Sequence, residues 1–75
     1  MKHRHLVLDV RGMEPPEPLE RILQEIDKFG TGDRLRVIID CRPHPLFRIL
    51  ERDGFAYSEQ AGTTSLYEIT IRRKT

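Results

Sequence analysis

A chain of 75 residues, 37% hydrophobic and 33% charged, has room for one domain, spanning 1–75, around one thin core. Its net charge of +1 exerts no global pull on nucleic acid, whose non-specific binding needs many phosphates neutralised together. A single cysteine excludes an internal disulfide framework and a cysteine-built zinc site within one chain.

The first five residues, Met1-Lys2-His3-Arg4-His5, lead into a strand pattern and not into the apolar segment of a signal peptide. No apolar run approaches the ~18 residues that span a bilayer. The expectation is a cytoplasmic protein with no membrane partner.

From His5 to Val10 the chain alternates, with Leu6, Leu8 and Val10 on one face and His5, Val7 and Asp9 on the other, the period of a half-buried strand. From about Pro16 the apolar positions take helical spacing, through Leu19, Ile22, Leu23, Ile26 and Phe29. Gly30 is expected as the glycine just past the helix end. Prolines 15, 16 and 18 fit only at the start of that helix, where no intrahelical bond needs their missing N–H. After the Gly30-Thr31-Gly32-Asp33 turn, Leu35, Val37 and Ile39 alternate with Arg34, Arg36 and Ile38 as a second strand.

Pro43 and Pro45 open a second helix, with Leu46, Ile49 and Leu50 toward the core and Phe47 beside them, stopped at Asp53-Gly54. Phe55 to Ala61 and Leu66 to Arg73 are two alternating runs joined at Gly62-Thr63-Thr64, a closing hairpin. The fold class is α+β: a βαβαββ two-layer sandwich with both helices on one face of a mixed four-stranded sheet. Strands one to three then run the same way, which gathers the Arg11–Pro16 loop, the Asp40–Pro45 loop and the hairpin tip at one edge. The opposite edge collects Lys2, Arg4, Arg34, Arg72, Arg73 and Lys74, with the last strand ending beside the start of the first.

One pattern is doubled. Residues 16–23 and 43–50 both read P-x-P-L-x-R-I-L, and each copy follows an Asp-x-Arg, Asp9-Val10-Arg11 and Asp40-Cys41-Arg42. The helix-start edge is therefore the candidate working surface, formed by Arg11, Glu14, Pro15, Pro16, Glu17 and Pro18 from one copy and Cys41, Arg42, Pro43, His44 and Pro45 from the other.

The stretch Gly12-Met13-Glu14-Pro15-Pro16-Glu17-Pro18, with Leu8 and Asp9 before it, resembles the opening of the TusA/SirA sulfur-carrier superfamily, LD-x-x-G-x-x-C-P-x-P. The likeness extends over the whole chain, through the Gly-Asp turn and the closing hairpin. It implies the βαβαββ fold. In that family the cysteine before Pro-x-Pro carries a persulfide; here Pro15 stands in its place. A thiolate at a helix N-terminus is made nucleophilic by the dipole and unpaired amides, whereas proline has no nucleophile, so persulfide carriage at that position is lost. The Pro-Pro-x-Pro start resembles a cysteine-lacking branch of the superfamily of unknown function, found alone or joined to other bacterial domains.

Each candidate also has a plainer structural reading. Cys41, two residues before Pro43, is either a substitute sulfur carrier or a small, partly buried residue at a strand end. Arg11, Arg42 and His44 either join the free amides of both helix starts in an anion site, or the arginines pair with Asp9, Asp40, Glu14 or Glu17. Glu14 and Glu17 suit the helix dipole better than acid–base catalysis, and no nucleophile–base–orienter set or cofactor motif is present. His3, His5 and His44 fall at opposite edges and cannot converge on a metal.

The fold also resembles the C-terminal domain of translation initiation factor three, which raises RNA binding by the basic edge; yet aromatic platforms for stacking bases are scarce, as Phe55, Tyr57 and Tyr67 alternate with the core-facing set. Val7, Ile38 and Leu66 on the uncovered sheet face are a possible protein contact. The leading expectation is a non-catalytic binding or regulatory module that uses the Pro-x-Pro edge for a partner protein or a small anionic ligand.

Overall fold

The computed structural model describes residues 4–30, 32–61 and 67–74. In chain order the elements are β1 (His5–Asp9), α1 (Glu17–Ile26), β2 (Arg34–Ile39), α2 (His44–Arg52), β3 (Phe55–Gln60) and β4 (Tyr67–Arg73). The strands lie in the order β1-β2-β4-β3. β1 and β2 are parallel, and β4 is antiparallel to both of its neighbours, β2 and β3. This is the expected α+β sheet with strands one to three in one direction. One placement differs: β4 is inserted between β2 and β3, so its end lies beside the start of β2, with Arg72 opposite Arg34, and not beside β1.

The alternation read in the sequence becomes the two faces of the sheet. Val10, Leu35, Val37, Ile39, Ile69 and Ile71 are fully or almost fully buried on the helix side. Ile22 and Ile26 of α1 and Leu46, Phe47 and Leu50 of α2 close over them. Helix α1 packs on β2 and α2 on β3. Burying each of these large side chains is worth about 1.5–3 kcal/mol, and in so small a chain they are the main term holding the layers together. On the other face Val7 is 60% exposed.

The helix starts fall where the prolines require. Pro16 and Pro43 are the N-cap residues, and Pro18 and Pro45 occupy the second helical position. The end of α1 differs from expectation. The helix stops at Ile26, and the amides of Asp27, Lys28 and Phe29 turn back to the carbonyls of Leu23, Glu25 and Ile26. Phe29 is still buried, at the edge of the Phe55 ring, but it arrives by this tightened turn. Gly30 is not in the left-handed region; Gly12, Gly32 and Gly54 are.

What Gly30 does instead is donate its N–H to Asp33 Oδ2 at 2.9 Å. The same carboxylate accepts the Arg4 N–H at 2.9 Å, Arg4 Nε at 3.1 Å and Arg4 Nη2 at 2.8 Å. Arg4 Nη2 also donates to the Lys28 carbonyl, and the Arg4 carbonyl accepts the Arg34 N–H. One buried aspartate thus fastens the start of β1, the turn after α1 and the start of β2. The Gly30 and Arg4 amides, and then the guanidinium, hold its carboxyl far below the ordinary carboxylate range.

The expected hairpin is present as the antiparallel β3–β4 pair, with Gln60 opposite Glu68. The turn residues Gly62-Thr63-Thr64 and the apolar Leu66 lie outside the described residues, as do Lys2, His3 and Thr31.

Candidate functional site

The two copies of P-x-P-L face each other across one groove. Its volume is about 300 Å³, and it is lined by Pro15, Pro16, Pro18 and Leu19 from the first helix start and by Cys41, Arg42, Pro43, Pro45 and Leu46 from the second, with Ile39 at the end of β2 between them. All five prolines of the chain are in this lining. Leu19 and Leu46 are the same position of the repeat, each directly after the second proline. Their helical spacing assigns them to the core, and only the repeat pairs them as site residues.

The loops that carry the prolines are held by the two Asp-x-Arg segments in different ways. In the first, Asp9 accepts the Arg11 N–H at 3.0 Å, Arg11 Nε at 3.0 Å and Arg11 Nη2 at 2.7 Å. Hydrogen bonds from the Arg11 side chain and then its amide lower the Asp9 carboxyl to about 2. In the second, the pair separates. Asp40 Oδ2 accepts the Gly12 N–H at 2.9 Å, tying the second loop to the first. Gly12 has φ of +80°, and the bent loop it allows brings its amide to that carboxylate.

Arg42 turns away from Asp40 to Glu59 on β3, with Nε 2.9 and 3.1 Å from its two oxygens. Its guanidinium lies 5.1 Å from the centre of the Phe47 ring, which stacks on Tyr57 at 4.8 Å. The carboxylate of Glu59 raises the Arg42 pKa further. The pairing of Arg11 with Asp9 is the one expected; Arg42 with Glu59 is not. Glu59 sits 17 positions away, and only the packing of β3 beside α2 brings it within reach.

The helix starts offer an anion less than their position suggests. In α2 the His44 and Leu46 N–H groups donate to the Arg42 and Pro43 carbonyls, and Pro45 has no N–H. In α1 the Glu17 N–H donates to the Glu14 carbonyl and that of Glu20 to Pro16, while Pro18 has none. Glu17 and Glu20 place acidic side chains in the same turn, where the dipole favours them. Both arginines are on carboxylates, and the Glu17, Glu20, His44 and Leu46 amides are engaged.

Cys41 is exposed and carries a free thiol, not a partly buried side chain at the strand end. It lies in the lining that also includes Pro15. His44 is the first residue of α2, at the edge opposite the His5 end of β1, and no cluster of metal-binding side chains occurs among the described residues. At the basic edge, Arg4 is spent on Asp33, and Arg73 donates to the Phe29 carbonyl while its guanidinium lies over the Phe55 ring. No helix among the described residues is long and apolar enough to cross a membrane.

Comparison with solved structures gives the crystal structure of a SirA-like protein from Desulfitobacterium hafniense, at a TM-score of 0.77 and 20% identity, covering 89% of this chain and 95% of that one. At that identity the likeness shows the fold. A search of curated proteins returned no match. A family model matches residues 7–73, nearly the whole chain with both proline-led helix starts, and the protein therefore belongs to the family described as "Uncharacterized conserved protein (DUF2249)".

Proposed function

We propose that this protein is a non-catalytic binding module, and that the proline-lined groove receives an extended, largely apolar segment of a partner protein. The observation that carries the reading is the convergence of all five prolines with Leu19, Ile39 and Leu46 on one groove. Prolines present rigid hydrocarbon walls at little entropic cost on binding, because their φ is already restricted. They also offer no N–H to a polar ligand. Arg42 at the rim, held by Glu59 and Phe47, supplies one oriented cation. The engaged amides of α2 favour such a segment over a small anion at this edge.

Cys41 makes the test convenient, because it is the chain's single cysteine and lines the groove. A thiol-linked photocrosslinker on Cys41 is expected to label a partner that the same probe does not label from Ser58→Cys, on the uncovered face, in a Cys41→Ser background. Excess unlabelled wild-type protein should compete and a Leu19→Glu variant should not. Equal labelling from both positions, or undiminished competition by Leu19→Glu, overturns the groove as the docking site.

A second reading is supported by the exposure of Cys41 in that groove: a persulfide carrier in which Cys41 stands in for the missing cysteine. Sulfur transfer from a cysteine desulfurase acting on free cysteine should then add the mass of one sulfur atom, removed by reductant and absent in Cys41→Ser. An unchanged intact mass under those conditions excludes it.

A further inference from the structure

We propose a second binding site, on the face of the sheet that the helices leave uncovered: a hollow between β1 and β2 that takes a terminal phosphate group. The hollow has a volume of about 240 Å³ and is lined by His5, Leu6, Val7, Arg34, Arg36 and Thr70. Register places these residues. His5, Arg34 and Arg72 form one cross-strand row, and Val7, Arg36 and Thr70 the next. Neighbouring strands are about 4.8 Å apart, and Arg34 and Arg36, two residues apart on one face, are separated by about 7 Å along β2. Two guanidinium forks, an imidazole and a hydroxyl therefore surround one small space, and each can donate a hydrogen bond to a phosphate oxygen.

The charge balance of the face points the same way. Four arginines elsewhere in the molecule are taken up by acids: Arg4 by Asp33, Arg11 by Asp9, Arg42 by Glu59 and Arg52 by Asp53. Arg34 pairs with no carboxylate among the described residues, although Arg72 stands directly opposite it. Like charges so placed destabilise a sheet, and an anion beside Arg34 offsets part of that cost. The acids of this face, Asp9 and Glu68, lie toward its other end. Asp9 holds Arg11, and Glu68 reaches Arg36 only at 3.5 Å. No carboxylate lines the hollow. A chain with almost no net charge has set Arg34, which has no carboxylate partner among the described residues, beside Arg36, whose acid stands outside the hollow, in one concave place where a terminal phosphate offers charge that two guanidinium forks can match.

Amide NMR of the full chain tests this at constant ionic strength, with chloride replaced by inorganic phosphate. Saturable shifts are expected at His5–Val7, Arg34–Arg36 and Thr70. The Arg34→Gln/Arg36→Gln variant should bind at least about tenfold more weakly, the loss expected for charge-assisted bonds, while its spectrum remains that of the folded protein. Should the pair of changes disturb the fold, Arg34→Lys keeps the charge, removes the fork and should weaken binding by a smaller factor. A 5′-phosphorylated short oligoribonucleotide and its unphosphorylated form distinguish the source of the phosphate. Preference for the phosphorylated oligomer with the same shifted amides indicates a nucleic-acid end, and equal shifts from phosphate alone indicate a small phosphorylated ligand. Shifts that follow ionic strength with any anion, that centre on the helix starts, or that persist unchanged in the Arg34 and Arg36 variants overturn the proposal.

Discussion

Replacing Ile69 with alanine is expected to remove about 2–5 kcal/mol of folding stability, the usual range for truncating a fully buried isoleucine. Ile69 is completely inaccessible, at the middle of β4, with Val37 opposite it on β2 and Glu59 opposite it on β3. It therefore lies on the strand that joins the two halves of the sheet. A domain of this length has a total stability of roughly 4–11 kcal/mol, so the substitution consumes a large share of it. Urea unfolding followed by circular dichroism should show a strongly lowered midpoint with an unchanged slope, or no folded baseline at all. Val7→Ala, on the exposed face, should stay within about 0.5 kcal/mol of wild type. An Ile69→Ala cost as small as that of Val7→Ala would contradict the described core.

The second large effect is expected at Asp33, and its signature is a pH dependence. Asparagine is nearly isosteric, but it has lost the charge, and its NH₂ must face one of the Arg4 or Gly30 donors that the carboxylate accepts. Asp33→Asn should lower the melting midpoint by several degrees at neutral pH. The folded carboxyl titrates below its ordinary value of 3.8. Its contribution is thus complete above that value and is lost as pH falls toward the folded value. The gap between wild type and variant is expected to be widest near neutrality and to narrow in acid below about pH 4. Asp53→Asn is the control, because among the described residues the Asp53 carboxylate pairs with the adjacent Arg52 alone, on the surface. A gap for Asp33→Asn that stayed constant across the acid range would mean that its charge is not what fastens the turn. The latch lies at the edge opposite the proline groove, so partner binding at the groove can be measured independently.

The groove changes the meaning of the repeated P-x-P-L-x-R-I-L. As sequence, it reads as a device for starting two helices at one edge, and it does that: Pro16 and Pro43 cap them, and Pro18 and Pro45 follow at equivalent positions. In the fold the same residues become the opposing walls of a single apolar groove. Pro15 and Cys41 lie in the lining of that one surface. This chain lines that surface with hydrocarbon and sets one exposed thiol beside it.

Local pattern alone determined the element order, the direction of the first three strands, the helix starts and which strand residues face the core. Each of these rests on short-range physics: the period-two alternation of strands, the 3.6-residue period of helices, and the restricted φ and missing N–H of proline. The end of α1 was less legible, because Phe29 keeps the helical spacing while the chain has already turned; a buried position can be reached by a turn as well as by a helix. Tertiary structure alone decided that β4 lies between β2 and β3, that Arg42 chooses Glu59 over Asp40, that Asp33 gathers three segments, and that His5, Arg34, Arg36 and Thr70 share one hollow. Those outcomes turn on partners distant in the chain, such as Arg42 and Glu59, 17 positions apart, and Arg4 and Asp33, 29 apart. Such partners are selected by which strand packs beside which, and the periodicity of a single segment carries no record of its neighbours.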